Sequence, residues 1–368
     1  RLEASHSMWE ILLKFNLSLM GRQQEYRSLG DGSSFNNNIY RTALIGNPTV
    51  RLKDDNGRWV EHTTMNGYMN PVAAIYESSG SNKSTQIRTS GSVTVTPIDE
   101  FFVKGLVSHT TYNQTRGYAE TKKHISTVKD KKNGFASRGT TREVEDLVEL
   151  TGQYRQQFNA HNITALAGYS FQKNTYENYW MQNWDFPTDQ YTYNKMESGA
   201  ALKRGEAPEE SYMNEHRLVG FFGRVNYSYN DRYLLSASIR HEGSTKFGAN
   251  YKWGNFPAFS LGWNVTKEEF MQHVDFLNNL QLRLGFGITG TVPTDPYISL
   301  KKLDTGDNFY TGNGWISTLK PKSNTNPDLR WEKKEEWNLG FDYALFNNFI
   351  RGSFDLYKRT TKDMLWNY

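Results

Sequence analysis

The chain has 368 residues, 14% of them aromatic, no cysteine and a formal net charge of +4. The lack of cysteine excludes a disulfide framework and a thiolate metal site. The net charge is small for this length, and the sequence has no concentrated basic stripe of the kind that binds nucleic acid. No run of 18 apolar residues exists, which excludes transmembrane helices. Membrane-spanning strands leave no such signal, because their apolar residues alternate with polar ones.

In chain order, alternation of apolar and polar residues predicts five strands in the first half of the chain. They are centred on residues 13–19, 86–95, 101–108, 148–154 and 163–171. Long polar stretches separate them at 21–85, 111–143 and 173–216, and these predict loops. Asp54 to Gly57, in the first loop, spells a turn.

Three back-to-back segments from Leu218 to Val265 carry the clearest alternation. In the first segment, Phe221 and Val225 fall on one face, while Arg224 and Asn226 fall on the other. A short helix is expected at residues 266–278, with Thr266 as its cap. Three further strands are predicted at residues 280–288, 337–343 and 350–356.

These strands have one apolar face and one face that carries Arg, Glu and Asn. The core of a β-sandwich would not tolerate such a charged face unpaired. A strand that is apolar outside and charged inside suits a wall between lipid and water. The sequence therefore predicts an all-β protein, a transmembrane antiparallel β-barrel.

The connections between the roughly eleven predicted strands alternate in length. Short ones lie near residues 97, 160, 231, 272 and 347, and long ones at 21–85, 111–143, 173–216, 243–255 and 290–331. Outer-membrane barrels have this asymmetry, with short periplasmic turns and long extracellular loops. Ten strand residues rise roughly 33 Å, which a tilt of about 40° projects onto an apolar band of ~25 Å.

Three short motifs invite chemical interpretations that their contexts do not favour. Gly285 to Gly290 fits a nucleotide-binding G-x-G-x-x-G, but no amphipathic helix follows it. Asp304-Thr305-Gly306 is a lone aspartic-protease triplet in a polar loop, and Asp54 to Gly57 lacks the other ligands of a calcium loop. We therefore predict no catalytic, cofactor-binding or metal-ligating residues, no cofactor and no enzymatic activity.

Several segments, taken in order, resemble the SusC/RagA family of TonB-dependent outer-membrane transporters. They are Arg224 to Arg240 (RVNYSYNDRYLLSASIR), GSTKFG from Gly243, WGNFPAFSLGW from Trp253, LRLGFGITG from Leu282, NPDLRWE from Asn326, FDLYK from Phe354, TKDML from Thr361 and NPVAA from Asn70. The clear part of the resemblance covers roughly residues 218–368.

The resemblance implies one part of a 22-stranded barrel that is filled by an amino-terminal plug and powered by TonB. It also implies a SusD-like lipoprotein partner, a lipopolysaccharide-containing outer membrane of a Gram-negative bacterium, and a glycan or oligopeptide cargo. Residues 1–368 would then be the central portion of the barrel domain, with the plug, signal peptide and closing carboxy-terminal strands outside this chain. The alternatives are a passive porin, an adhesin-type barrel, or a soluble β-rich protein that binds or cleaves glycans.

Two groups of residues are candidates for the substrate path. Strand parity places Arg224, Arg240, Glu242 and Arg283 inside the barrel, together with Asp342, Arg351 and Asp355. These charges either pair with each other or with the plug, or they contact substrate. The predicted loops also carry aromatic residues that suit sugar stacking, docking of a lid, or packing of loop on loop. They are Trp180, Trp184, Tyr191 and Trp315, with Tyr176, Tyr179, Tyr193 and Tyr310.

Overall fold

The computed structural model describes residues 1–9, 12–27, 39–61 and 70–366. Its elements, in chain order, are β1 (Leu2–Met8), β2 (Leu13–Tyr26), α1 (Ile39–Ile45), α2 (Pro71–Tyr76), β3 (Ser78–Ile98), β4 (Phe101–Glu120), α3 (Ile125–Lys129), β5 (Phe135–Phe158), β6 (His161–Trp184), β7 (Glu209–Tyr229), β8 (Tyr233–Ser244), β9 (Trp253–Asn264), β10 (Leu277–Thr291), β11 (Leu303–Tyr310), β12 (Trp315–Pro321), β13 (Glu332–Leu345) and β14 (Ile350–Lys362).

Twelve of the strands form one antiparallel sheet in which each strand pairs with the next one along the chain, except that β10 pairs with β13. The order is β1 to β10, then β13 and β14, while β11 and β12 form a separate hairpin within the last long loop. This meander is the topology expected of an up-and-down barrel wall. Among the described residues, no helix is long and apolar enough to cross a membrane.

The sheet has one strand more than the roughly eleven predicted, the hairpin of β11 and β12 was not predicted, and the predicted strand lengths were too short. Strand β1 pairs with β2 from Leu2↔Leu19 to Met8↔Leu13, although its sequence, LEASHSM, has few apolar residues. Strands β5 and β6 pair along 24 residues each, more than twice the ten expected. At about 3.3 Å per residue they rise well beyond an apolar band of ~25 Å.

Short turns lie at one end of the sheet and long connections at the other, as predicted, with one exception: the connection at residues 265–276, at the short-turn end, is longer than that at residues 245–252, at the opposite end. The turn between β7 and β8 needs only three residues because Asn230 and Asp231 both adopt positive φ, 50° in each case, which Asn and Asp tolerate best after glycine. The predicted turn at Asp54 is also confirmed: its carboxylate accepts hydrogen bonds from the backbone N–H groups of Asn56 and Arg58.

The predicted helix at residues 266–278 was wrong. Two single-turn 3₁₀ helices, Val265–Lys267 and Glu269–Met271, occupy this stretch. Between them, the Glu268 carboxylate accepts hydrogen bonds from Tyr233, Trp263 and Arg232 at 2.7, 2.8 and 3.0 Å. Since Tyr233 and Trp263 lie on neighbouring strands and Arg232 lies in the turn before β8, tertiary contacts override the local preference for a helix.

The sheet has an outer face and an inner face, which its register defines. Phe221, Leu235 and Leu339 lie on the outer face, and their side chains are 49%, 39% and 56% exposed. Arg224, Ser236 and Ser238 lie on the inner face, where Arg224 pairs with Ser238 and Asn226 with Ser236. Exposed apolar residues on one face of a sheet are what contact with lipid requires.

The buried apolar residues lie mainly at the long-loop end. Residues 121–134 and 185–208 form the first lobe. Its buried cluster consists of Phe186 and Met196 together with Ala119 and Ala136, which lie at the ends of β4 and β5. The second lobe joins residues 245–252 to 292–331 around Phe247, Phe256 and Trp331. The connections that form these two lobes are thus folded structures at the ends of the strands.

Candidate functional site

The inner face carries a compact ion pair between Arg240 and Glu242, both on β8. The Arg240 guanidinium donates to the two carboxylate oxygens at 2.7 and 2.8 Å and to Ser170 Oγ at 3.3 Å. It also lies 5.5 Å above the ring of Phe222. A Cβ at Gly220 would come within 2.8 Å of the guanidinium, so glycine leaves the room for this pair. Both residues lie on the same face of the sheet as Arg224.

A second charged cluster links three neighbouring strands of the inner face. Arg283 on β10 lies 2.8 Å from Asp342 on β13 and 3.2 Å from Asp355 on β14. Gly340 lies between them, and a Cβ there would be 2.6 Å from an Asp355 carboxylate oxygen. Two carboxylates around one guanidinium leave a local excess of negative charge. The structure therefore supports the predicted pairing of inner-face charges with each other.

Arg224 differs from these residues because no ion pair holds it among the residues the structure describes. It lines a cavity of about 450 Å³ whose polar residues include Gln153, Thr164 and Asn226. An exposed guanidinium surrounded by amides and hydroxyls can donate to an anionic or carbonyl group of a passing molecule.

Trp180 lies on the inner face near the long-loop end, in a cavity of about 380 Å³. The lining includes Gln114, Thr141, Asn178 and Gln182. Asn178 donates to the Thr140 carbonyl and to Thr141 Oγ1, at 3.3 and 3.0 Å. An aromatic ring among amides and hydroxyls can stack on a ligand and hydrogen-bond it at the same time.

Sequence reasoning missed the amides of this cavity. Residues 111–143 and 173–216 were interpreted as loops, whereas Gln114 lies on β4 and Asn178 and Gln182 lie on β6. Asn178, Trp180 and Gln182 are alternate residues of one face of β6, but the sequence around them has no apolar–polar alternation that would have marked it as a strand.

Trp184 and Tyr191 make aromatic contacts within the first lobe. The Lys132 ammonium lies 4.4 Å from the centre of the Trp184 ring, and that of Lys195 lies 5.0 Å from the Tyr191 ring. Tyr193 packs against the same lobe. These contacts match the expected packing of loop on loop.

Asp185 ties the two connections of the first lobe together at the end of β6. Its carboxylate accepts the backbone N–H of Asn133 at 2.9 Å and pairs with Arg204 at 2.5 Å. The hydrogen bond from Asn133, together with Arg204, lowers the pKa of Asp185. Arg204 also pairs with Glu206 at 2.7 Å, so a network of three charged side chains stabilises the lobe.

Trp315 lies apart from the other candidates. It begins β12, its side chain is 71% exposed, and its ring lies 5.3 Å from that of Tyr310. Asp304 of the protease-like triplet belongs to the same hairpin and pairs with Lys322 at 3.0 Å. Gly285 and Gly287 belong to β10, where they pair with Ser260 and Ala258.

Lys246 is a buried cation that sequence reasoning did not single out. It is 7% exposed, and its ammonium donates to the carbonyls of Pro293 and Thr294 at 3.1 and 2.9 Å. Burial lowers its pKa, an effect that Asp295 partly offsets. Lys246 therefore fastens the two connections of the second lobe to each other.

Comparison with known proteins shows which family has a β-sheet wall of this kind. The family model described as TonB dependent receptor-like, beta-barrel matches residues 15–365. TonB-dependent receptor P39 of Formosa agariphila is 29% identical over 351 residues, covering 95% of this chain and 32% of the relative. TonB-dependent receptor SusC of Bacteroides thetaiotaomicron is 34% identical over 220 residues, covering 58% and 21%. The chain thus spans no more than about a third of the length of these relatives.

The same fold occurs in a solved structure of the RagAB peptide transporter. The match has a TM-score of 0.77 at 22% sequence identity, and covers 98% of this chain and 40% of that one. At this identity the likeness concerns the fold, a β-barrel wall with long connections at one end.

Proposed function

This chain belongs to the TonB-dependent receptor β-barrel family, in its SusC/RagA-like branch, and from that premise we propose that it forms the central wall of an active importer. Its strands cross the outer membrane of a Gram-negative bacterium. The long connections are then extracellular and the short turns periplasmic. The proposed activity is the TonB-dependent uptake of a large nutrient, and no covalent chemistry is involved.

The observation that carries the proposal is the cavity around Trp180. It opens on the inner face, in the part of the wall that rises above the apolar band, and is lined by amides, hydroxyls, one indole and the two arginines Arg116 and Arg138. Amides and hydroxyls bind groups that both donate and accept hydrogen bonds, and an indole packs on flat, weakly polar surfaces. Sugars and peptide backbones offer both properties, so we propose a glycan or an oligopeptide as the cargo.

Further residues of the inner face extend this polar path toward the periplasm. Arg224 is placed to contact an anionic or carbonyl group, while the Arg240–Glu242 pair and the Arg283 cluster hold the wall in shape. Trp184, Tyr191 and Trp315 are proposed to act at the extracellular entrance, the first two through the shape of the first lobe. A plug elsewhere in the polypeptide is proposed to transmit the energy of TonB.

A SusD-like surface lipoprotein is the proposed partner. The support is the similarity to SusC and to the wall of RagAB, a transporter that takes up peptides. The two lobes, each packed around a buried apolar cluster, offer a folded surface for such a partner.

The test is uptake by cells that express the full-length receptor as their sole receptor of this type. Fluorescent glycan and oligopeptide libraries should show uptake of one class, and loss of TonB should abolish it. Purification from outer membranes should yield a surface lipoprotein with the receptor. Uptake that persists without TonB would instead indicate a passive porin and would overturn the proposal.

A matched pair of variants tests the cavity itself. Trp180→Ala removes the inner-face indole and should raise the half-saturation concentration for cargo about tenfold, the loss of one good stacking contact. Tyr179→Ala, one residue away on the outer face of the same strand, should leave uptake unchanged. Equal effects of the two substitutions would contradict the role of Trp180.

A further inference from the structure

Strand β7 extends beyond its partner β8, so part of one edge of β7 has no neighbouring strand. The pairing of β7 with β6 runs from Glu209 to Tyr229, but its pairing with β8 covers only Leu218 to Tyr229. Beyond Ser244, where β8 ends, the chain turns into the second lobe. Residues 209–217 therefore project at the extracellular end of the wall with one side beyond the reach of β8.

Contacts at the base of this projection show which backbone groups point to that side. The Arg217 N–H donates to Thr245 Oγ1 at 2.9 Å, and the Arg217 carbonyl accepts the N–H of Thr245 at 3.1 Å. The Glu215 N–H donates to the Tyr297 hydroxyl at 2.9 Å. Since Thr245 and Tyr297 belong to the second lobe, this lobe takes the place of β8 as far as Glu215.

The next alternate residues leave their backbone groups free. Every second residue of a strand directs its N–H and C=O to the same side, so Met213, Ser211 and Glu209 follow Glu215 in facing away from β6. In the part of the chain that the structure describes, no group hydrogen-bonds to the backbone of these three residues from that side. We call residues 209–213 the β7 edge, which at about 3.3 Å per residue is roughly 16 Å long.

The two lobes bound the β7 edge at its ends. The first lobe finishes at residue 208, directly before the edge begins, and Tyr297 of the second lobe closes the other end. The side chains between them are exposed, 49% for Tyr212 on the inner face and 61% for Met213 on the outer face. The β7 edge is therefore an open strand edge of defined length between two folded lobes.

The β7 edge also adjoins the cavity around Trp180. Glu210 and Tyr212 pair with Trp180 and Asn178, so they lie on the inner face beside this cavity, and β7 is about 4.8 Å from the strand that carries Trp180. The Tyr212 ring lies 6.3 Å from that of Tyr176, which adds a second aromatic surface. The Glu210 side chain is exposed and has no ion-pair partner among the described residues, so it is available to a cation.

We propose that an oligopeptide cargo binds to the β7 edge as an added antiparallel strand, in the place that a longer β8 would occupy. This inference rests on the proposed import function and selects a peptide over a glycan as the cargo. The cargo backbone exchanges hydrogen bonds with Glu209, Ser211 and Met213. Its inner-face side chains pack on Tyr212, and a lysine or arginine among them pairs with Glu210.

Recognition through the backbone suits a receptor that takes up peptides of varied sequence. Main-chain hydrogen bonds supply affinity for any side chains, and the surfaces that meet alternate side chains add preference. A glycan has no array of N–H and C=O groups that repeats about every 6.6 Å, so it does not complete a strand edge. A strand of a partner protein would pair with the edge but leave the adjoining cavity unused, whereas a cargo peptide occupies both.

Binding of N-methylated peptides to the full-length receptor in detergent tests the proposal. The probe is a fluorescent heptapeptide of alternating lysine and valine. With its lysines on the inner face beside Glu210, an antiparallel strand directs the N–H groups of its valines toward β7. N-methylation of the valines should weaken binding at least about tenfold, through the loss of two or more hydrogen bonds, and N-methylation of the lysines should weaken it much less. No binding of the parent peptide, equal binding of the two analogues, or the reverse order would overturn the proposal.

A pair of variants at Ser211 locates the site. Ser211→Pro removes the N–H group that faces the cargo, and proline is tolerated where the N–H of an edge strand points away from the sheet. Ser211→Ala removes the hydroxyl and keeps that N–H group. The proline variant should bind the probe about tenfold more weakly than the alanine variant, because it leaves a cargo carbonyl unpaired. Hydrogen exchange in β5 and β6 checks that the wall is intact in both variants, and equal binding would refute the assignment.

Uptake by cells separates this inference from the import proposal. Ser211→Pro should take up the probe more slowly than Ser211→Ala at concentrations below saturation. Equal, TonB-dependent uptake by the two variants, or TonB-dependent uptake of glycans alone, would refute the cargo site and leave the import proposal standing, whereas uptake without TonB would refute both. If Ser211→Pro lost the surface lipoprotein but bound the probe as Ser211→Ala does, the edge would belong to the partner and the proposal would be overturned.

Discussion

Replacing Trp331 with alanine should open the second lobe while the barrel stays assembled. Trp331 is 3% exposed, and its ring centre lies 4.5 Å from that of Phe247 and 5.1 Å from that of Phe256. Its indole N–H also donates to the Lys252 carbonyl at 3.1 Å. Truncation of a buried tryptophan to alanine costs about 3–5 kcal/mol. The cost falls mainly on the lobe because Phe247 and Lys252 both lie in the connection of residues 245–252, while Phe256 alone belongs to a strand of the wall, β9.

Hydrogen exchange of the full-length receptor in detergent, read by mass spectrometry, measures this cost locally. At 1.36 kcal/mol per tenfold change, peptides from residues 245–252 and 292–331 should exchange on the order of a hundred- to several thousand-fold faster. Peptides from β5 and β6 should keep their protection. Trp315→Ala is the matched control, because Trp315 lies in the same connection but is 71% exposed and should cost no more than about 0.5 kcal/mol.

Two results would refute this reasoning. If Trp331→Ala changed exchange no more than Trp315→Ala, the aromatic cluster would not hold the lobe together. If protection were lost equally in β5 and β6, the lobe and the wall would unfold as one unit and the connections would not be separate structures.

Three further predictions concern the wall and the first lobe. Gly340→Ala should destabilise the receptor by about 1–3 kcal/mol through overpacking. Gly285→Ala should be neutral, because the added Cβ would have its nearest neighbour 4.0 Å away. Equal melting temperatures of the two variants would contradict this difference. Leu339→Arg should reduce the free energy of folding into lipid bilayers by about 2–4 kcal/mol, and Asn338→Arg should reduce it much less, because Leu339 faces lipid and Asn338 faces the lumen. The reverse order would show that the two faces were assigned wrongly. The pKa of Asp185 lies below the ordinary aspartate value of 3.8. Its contribution to the stability of the first lobe is therefore complete above that value and is lost as pH falls through the lower folded pKa. Exchange of residues 185–208, corrected for the intrinsic rate, should stay constant from about pH 7 to 5 and rise below about 4, and a rise already near pH 6 would exclude this carboxylate as the cause.

Sequence reasoning found the strands where a membrane dictates the pattern. Phe221, Val225 and Leu339 must face lipid, and the residues between them face water, so period two is strict there. Farther out, both faces of a strand meet water. Arg142 on β5, for example, pairs on the outer face with Glu177, and no alternation marks such residues as strand. This is why the upper halves of β5 and β6 were interpreted as loops.

Tertiary contacts explain the other differences. Strand β1 has few apolar residues, and its backbone pairing with β2 makes it a strand. Glu268 draws residues 266–278 away from a helix through its partners on neighbouring strands. The candidate cavity depends on which amides share a face at the extracellular end. Those faces could be read only once the strand lengths were known, so Trp180 was found by residue type and its neighbours were not.

Cysteine labelling along β7 tests the division of the wall into a lipid face and a water face most directly. The chain contains no cysteine, so single cysteines can be introduced at Phe221, Val225, Arg224 and Asn226 without background from the remainder of this chain. In intact outer membranes, a water-soluble maleimide should label positions 224 and 226, and a lipid-soluble quencher should reach only 221 and 225. Labelling of all four positions by the water-soluble reagent would contradict a membrane-spanning wall.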